Sequence, residues 1–421
     1  MTQEIDTHHL FLILKKSLAP LRNLLREHAD KKYLREYAPD DILAVLVVAA
    51  ALRTSIKTAL KILGLRIAEQ KRNKNQPTDP ILKLIDKGLP PEWFISELLS
   101  KITTTEAEAA VNRALKQQFY LAKRLGIIPE ELYSAIDQHE IPVWSTPGRN
   151  LIVPINIKNK KYKYGHRYYA GALGNNNFWL AIAFIIERPP GHADYKDLGE
   201  ICRFIVERIK TFTKKFKLRL NLADSKFFNK RVWSVFSELG VPSLCIAPKN
   251  SKVKKMVLHH HRKNHYNYAP GAYPYQLGEN TFTLLIVPRP QYKREVSKHN
   301  TEDDIVNNYV TLLTNTSPNG IINASFEFRS RCTKGLCGAI RSWIETKSER
   351  DYRERSNIEV LFRMGEAVRS RSNTIKPQIR VLLYGLTLIL YNVYVIWRKL
   401  LEEFSVSDVG GGEGKKRGVM V

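Results

Sequence analysis

The chain is 421 residues long and 43% hydrophobic, and its 67 lysines and arginines against 41 acidic residues leave a formal net charge of +26. That length exceeds one ordinary domain and predicts two or three globular units with a sizeable core. A charge of this size means association with phosphate polyanions without naming them, since DNA-, RNA- and membrane-surface-binding proteins share it. Four cysteines and no leader pattern at the first residues exclude a disulfide framework and point to a reducing, intracellular setting. Cys332 and Cys337 have neither a CxxC partner nor a suitably spaced histidine, so they read as ordinary thiols.

Residues 1–125 are helical in pattern, with apolar residues at three-to-four spacing and Gly64 and Gly126 at C-cap positions. Pro39-Asp40-Asp41 opens one helix, and Asp41–Leu52 with Ser55–Leu63 form a pair separated by Arg53-Thr54. The pair has helix-turn-helix spacing, and Lys57 and Lys61 on its second member are the candidate DNA contacts, although tight helical hairpins are common without that role. Lys71 to Pro77 reads as a charged loop.

From Leu132 the texture changes to strand-like runs at Leu132–Ile136, Tyr168–Leu173, Phe178–Ile186, Leu218–Ala223 and Pro242–Ala247. Helical stretches at Tyr195–Lys214 and Lys230–Leu239 separate the last three, and Gly174 to Asn177 is a turn between antiparallel strands. This order predicts an α/β fold: a mixed sheet whose second half is built from crossover units. Residues 251–335 break into Tyr-, Pro- and Lys-rich loops with short strands at Thr281–Val287 and Tyr309–Thr314, a β-rich insertion, before helices return at Ser342 and Asn357. His259, His260, His261 and His265 lie among Lys254, Lys255, Arg262 and Lys263, which reads as a basic, exposed, DNA-facing loop rather than a metal site. Val381–Trp397 carries no formal charge, yet Asn392 and three tyrosines favour a buried packing helix over a membrane span. Residues 401–421, with Gly410 to Arg417, read as a disordered basic tail.

The chemistry lies in three carboxylates. Asp137 and Asp224 each close an apolar strand run, and Glu359 sits in the helical stretch Tyr352-Arg353-Glu354-Arg355-Ser356-Asn357-Ile358-Glu359. Phosphodiester cleavage by two divalent ions needs carboxylates converging on ions roughly 3.5–4 Å apart. Hard oxygen ligands suit magnesium or manganese. The sequence separations are too long for a local metal loop and suit a site assembled by the fold, with the two aspartates on neighbouring strands.

The order strand-Asp, strand-Asp, β-rich insertion, helix-Glu, and above all Tyr352-x2-Arg355-x3-Glu359, resembles bacterial and archaeal insertion-sequence transposases of the DDE class with a Tyr-Arg-Glu-Lys signature. The resemblance covers about residues 130–395. It implies an RNase H-like catalytic domain at residues 130–250 and 336–400, interrupted by the insertion at 251–335 and preceded by the all-helical domain. Asp137, Asp224 and Glu359 would be the catalytic and metal-binding residues, holding two Mg2+ or Mn2+ ions. Tyr352 and Arg355 would face DNA. The signature Lys is replaced by Glu366, with Arg363 and Arg369 flanking it as substitute phosphate contacts.

The implied function is binding of the element's terminal inverted repeats, metal-dependent cleavage at its ends and joining of the freed 3′-hydroxyl to target DNA. A homodimer on synapsed ends, working in the cytoplasm, is the implied form. His139 and Glu140, next to Asp137, read as structural groups, and Ser225 and Lys226 as either solvent-exposed or DNA-facing. The rival readings are a catalytically silent DNA-binding descendant, a nuclease of the same fold, and an RNA-binding protein with no use for the three carboxylates.

Overall fold

Seven α-helices fill the described residues before Gly126: α1 (Thr2–Ser17), α2 (Ala19–His28), α3 (Lys31–Glu36), α4 (Pro39–Ala51), α5 (Ile56–Asn73), α6 (Glu92–Lys101) and α7 (Thr104–Arg124). The structure, a computed structural model, describes residues 2–73, 79–143, 150–155, 164–175, 178–264, 271–288, 301–315 and 376–409. The chain divides into two units that share strand β1 (Glu131–Pro142), cut between Asp137 and Gln138.

The first unit holds α1–α7, the end of β1, β2 (Val153–Pro154), β3 (Tyr164–Asn175), β4 (Phe178–Ile186) and a long C-terminal helix, α12 (Pro377–Val409). Local sequence explains the helix boundaries. Pro39 occupies the first turn of α4, where its missing N–H costs nothing, and the Asp41 carboxylate accepts from the Ala38 N–H at 2.7 Å. The same carboxylate accepts the Asp86 N–H at 2.6 Å, tying a distant loop to this helix start. Helix α7 opens on a reciprocal Thr103–Glu106 box and ends on Gly126, whose φ of 74° lets the Ile127 N–H return to the Ala122 carbonyl. Gly64 does not end its helix as expected. Leu63 is buried and the apolar spacing resumes at Ile67, so α5 runs on to Asn73.

Helix α4 is buried along nearly its whole length, and α12 packs on α7, α4, α1 and β4. Helix α12 is long and apolar enough to cross a membrane, but 83% of its most apolar stretch is buried within the protein, as a packing helix requires. Its contact with α7 is close: a Cβ on Gly385 would lie 2.3 Å from a Val111 methyl. The helix also reaches Val409, beyond the expected start of the tail at residue 401, while residues 410–421 lie outside the described residues.

Strand β4 pairs with β3 on one side, and polar side chains take the backbone groups on its other side. Asn392 accepts from the Ala181 N–H at 2.9 Å and donates to the Ala181 carbonyl at 2.8 Å. Asn112 does the same for Phe184, at 3.0 and 2.7 Å, and Glu108 accepts the Ile186 N–H. A strand edge that would otherwise be left unpaired inside the protein is thereby satisfied by α7 and α12.

The second unit contains β1 up to Asp137, α8 (Leu198–Thr213), β5 (Lys217–Ala223), α9 (Lys230–Glu238), β6 (Ser243–Ile246), α10 (Ser251–Lys263), β7 (Gly271–Leu277), β8 (Asn280–Pro288), α11 (Glu302–Asn307) and β9 (Tyr309–Thr314). Its strand order is β1-β5-β6-β9-β8-β7. β1, β5 and β6 are parallel neighbours, with α8 leading into β5 and α9 joining β5 to β6, and β6, β9, β8 and β7 are antiparallel neighbours, so the sheet is mixed. Helices α8 and α9 each start on a side-chain cap, Asp197 and Asn229.

The residues expected as a histidine-rich loop form helix α10 instead. Asn250 caps it by accepting the Val253 N–H at 2.9 Å, and Val253, Val257, His260 and His261 make its buried face. The many lysines and the run of three histidines hid the helical spacing of those four positions. His265 lies outside the described residues, as do Lys74 to Pro77, Asn176, Asn177, Cys332 and Cys337.

Candidate active site

The two aspartates stand at one end of the parallel strands of the second unit. Ile136 of β1 is registered with Ala223 of β5, so Asp137 and Asp224 directly follow a paired position on adjacent strands. Neighbouring strands lie roughly 4.8 Å apart, and registered residues share a face. The arrangement depends on an irregularity: Leu132 pairs with Leu218 but Ser134 pairs with Asn221, so Tyr133 alone opposes Arg219 and Leu220. Without that extra residue Asp137 would be level with Ala223, and the two carboxylates would be staggered onto opposite faces. The Arg219 guanidinium lies 5.5 Å from the centre of the Tyr133 ring at this point, a favourable contact across the irregular pair.

A buried polar row locks the same register. Ser134, Asn221 and Ser243 occupy paired positions across β1, β5 and β6. The Ser134 hydroxyl donates to the Asn221 side-chain oxygen at 3.0 Å, and the Asn221 amide donates to Ser243 Oγ at 3.5 Å. A one-residue slip would leave these groups unpaired in the interior. The row lies three residues before Asp137 and Asp224, which puts it on the other face of the sheet.

Asp137 is buried, and it does not close its strand as expected: β1 continues to Pro142. Asp224 is half-buried and does end β5. Its Oδ1 accepts the Ser225 N–H at 2.6 Å and its carbonyl accepts the Phe227 N–H at 2.9 Å, forming a short 3-10 turn anchored by the fully buried Phe227. Lys226 and Lys230, just beyond it, are exposed. Cys245, registered with Ala223, is buried, and burial pushes its thiol well above the usual range.

On the first unit's side of the cut, the neighbours of Asp137 make local contacts. Glu140 accepts from Gln138 at 2.7 Å and from Arg167 at 3.0 Å, and Arg167 also binds Glu187. His139 stacks on Tyr384 with ring centres 5.4 Å apart.

Of the other expected site residues, Lys57 and Lys61 lie one turn apart on the exposed face of α5, in the first unit. Helices α4 and α5 meet at 109° through the left-handed Arg53. Glu359, Tyr352, Arg355, Arg363 and Arg369 lie outside the described residues. Among the described residues no group of three His, Cys, Asp or Glu side chains converges on one point. What the fold brings together is the Asp137–Asp224 pair, two hard carboxylate donors of the kind that suits magnesium or manganese.

No family model matches the chain, and no curated protein matches it. Among solved structures its fold is similar to that of piggyBac transposase, seen by cryo-electron microscopy in a synaptic complex with hairpin DNA. The TM-score is 0.50 with 11% sequence identity, over 96% of this chain and 76% of that one. At that identity the likeness is one of fold, and it supports a transposase-like α/β architecture.

Proposed function

We propose that this protein is a metal-dependent DNA transposase of an insertion sequence, with a DDE site made of Asp137, Asp224 and Glu359 on an RNase H-like sheet. The observation that carries the reading is the pair of aspartates following registered positions on adjacent parallel strands. The strand order, the transposase-like fold and the net charge of +26 support it. Asp137 and Asp224 would hold Mg2+ or Mn2+, with Glu359 as the third ligand. Two such ions, when bound, stabilise the attacking and leaving oxygens of an in-line phosphoryl transfer.

The remaining roles belong to the chain's own residues. The 3-10 turn after Asp224 holds that carboxylate in position before DNA arrives, which lowers the reorganisation needed for reaction. Arg355 and Tyr352 hold a phosphate near the scissile bond, and Arg363 and Arg369 take the place of the absent signature Lys. Lys57 and Lys61 contact the terminal inverted repeats. The same site first cuts the element's ends with water and then joins the free 3′-hydroxyl to target DNA. Holding two ends at once calls for a homodimer, and the substrate places the protein with the cytoplasmic nucleoid.

The test is end-joining of a labelled, repeat-terminated duplex to plasmid DNA in magnesium. Joined product should form with the native chain and fall by about 10³-fold in Asp224→Asn and in Glu359→Gln, as loss of several kcal/mol of charge stabilisation requires. Cutting without joining would make the protein a nuclease, and undiminished joining in the variants would remove the carboxylates from the mechanism.

A further inference from the structure

Helix α10 carries a stripe of lysine and histidine that the proposed catalytic set does not use. Lys252, Lys255, His259 and Lys263 are spaced three, four and four residues apart, which places them on one helix face, and all four are exposed. Val253, Val257, His260 and His261 occupy the opposite, buried face. The flanking cations are already engaged: Lys254 pairs with Asp303 at 2.8 Å and Arg262 with Glu302 at 3.0 Å, both acids on the first turn of α11. Lys252 lies over the Tyr275 ring at 4.5 Å and donates to the Gln276 carbonyl. Lys255 and Lys263 have no ion pair among the described residues.

Connectivity sets where this stripe lies. Strand β6 is parallel to β5 and ends at Ile246, one residue past the Ala223–Cys245 pair, so its C-terminal end lies beside Asp224. Helix α10 starts five residues later. Its far end is held at the same end of the sheet: His261 bonds the Tyr309 hydroxyl at 3.1 Å, and Tyr309 opens β9, whose Leu312 is already level with Ile246. His260 bonds the Tyr273 hydroxyl of β7 at 2.7 Å. The Lys263 end of the stripe is thereby tied to the carboxylate end of the sheet, and the stripe runs about 17 Å from there to Lys252, which reaches Tyr275 and Gln276 of β7.

We infer that the exposed face of α10 is the track that holds the phosphate backbone of the duplex entering the Asp137–Asp224 site. The identity of the polyanion rests on the proposed function, while the placement of the stripe does not. Three lysines and a histidine along one helix face can follow a line of phosphates, and a helix buried on its other face presents them without reorganisation.

The experiment measures binding of the full chain to a random-sequence 40-base-pair duplex as a function of salt. Each lysine that neutralises a phosphate contributes about 0.9 to the slope of log K against log salt. Lys255→Ala/Lys263→Ala should lower that slope by about 1.8, and Lys255→Arg/Lys263→Arg should keep it. Lys214→Ala/Lys215→Ala removes the same charge from exposed positions preceding β5, at the opposite end of the sheet, and should leave the slope unchanged. An unchanged slope in the first variant, an equal fall in both alanine variants, or no duplex binding by the native chain would each overturn the inference. Retained joining in Asp224→Asn would overturn the catalytic reading alone.

Discussion

His166 shows how burial turns a single side chain into a pH-dependent contribution to stability. It is fully buried on β3, and burial first, with the positive charge of Arg380 second, lowers its pKa to about 4 from an ordinary 6.5. The folded chain therefore keeps this imidazole neutral, while the unfolded chain binds a proton as pH falls below 6.5. Its contribution is fully present above pH 6.5 and is lost as pH falls towards 4, by up to about 3 kcal/mol. Denaturant unfolding of the native chain should weaken across that window, and His166→Leu should flatten the dependence. A variant with the same pH slope would place the sensitivity elsewhere. The residue scale also shows what local pattern conceals: His259 to His261 read as a basic loop, yet two of the three are helix-core groups bonded to tyrosines 13 and 48 positions away, partners that no local window contains.

At the scale of elements, the contact of α7 and α12 with β4 makes two measurable demands. Asn392 satisfies both backbone groups of Ala181 and also donates to Gln118 at 2.9 Å. Asn392→Leu keeps the volume and leaves those groups unpaired, so urea unfolding should show a loss of about 3 kcal/mol. Gly385→Ala should cost about 1–3 kcal/mol, because the new methyl meets the stiff Val111 side chain, and Val111→Ala should recover much of it. Additive losses in that pair would contradict the packing account. Strand positions were legible where apolar runs were bounded by turn residues: Tyr309–Thr314 and Phe178–Ile186 form as expected, and Val381–Trp397 lies in a buried helix. Pairing was not legible. The extra residue between Leu218 and Asn221, which brings the aspartates level, leaves no mark in hydrophobic pattern, because it is a property of two strands together.

On the scale of the whole molecule, the candidate site was legible as chemistry before it was legible as geometry. Asp137 and Asp224 stood out by residue type at the ends of apolar runs, and parallel pairing of β1 with β5 brings those ends side by side. The basic, DNA-facing character of residues 254–263 was legible, but their helical stripe was not, nor its place at the end of β6, where strand connectivity carries it to the aspartates. The net charge of +26 indicated a polyanionic partner, but only the fold distinguishes one face of that charge from another.

The most direct measurement of the central claim replaces magnesium with Fe2+ and maps where locally generated hydroxyl radicals cut the polypeptide. Cuts clustered near residues 137, 224 and 359, suppressed by excess Mg2+ and absent in Asp137→Asn/Asp224→Asn, are the result this account expects. Cuts that avoid those segments, or that persist unchanged in the double variant, would contradict it.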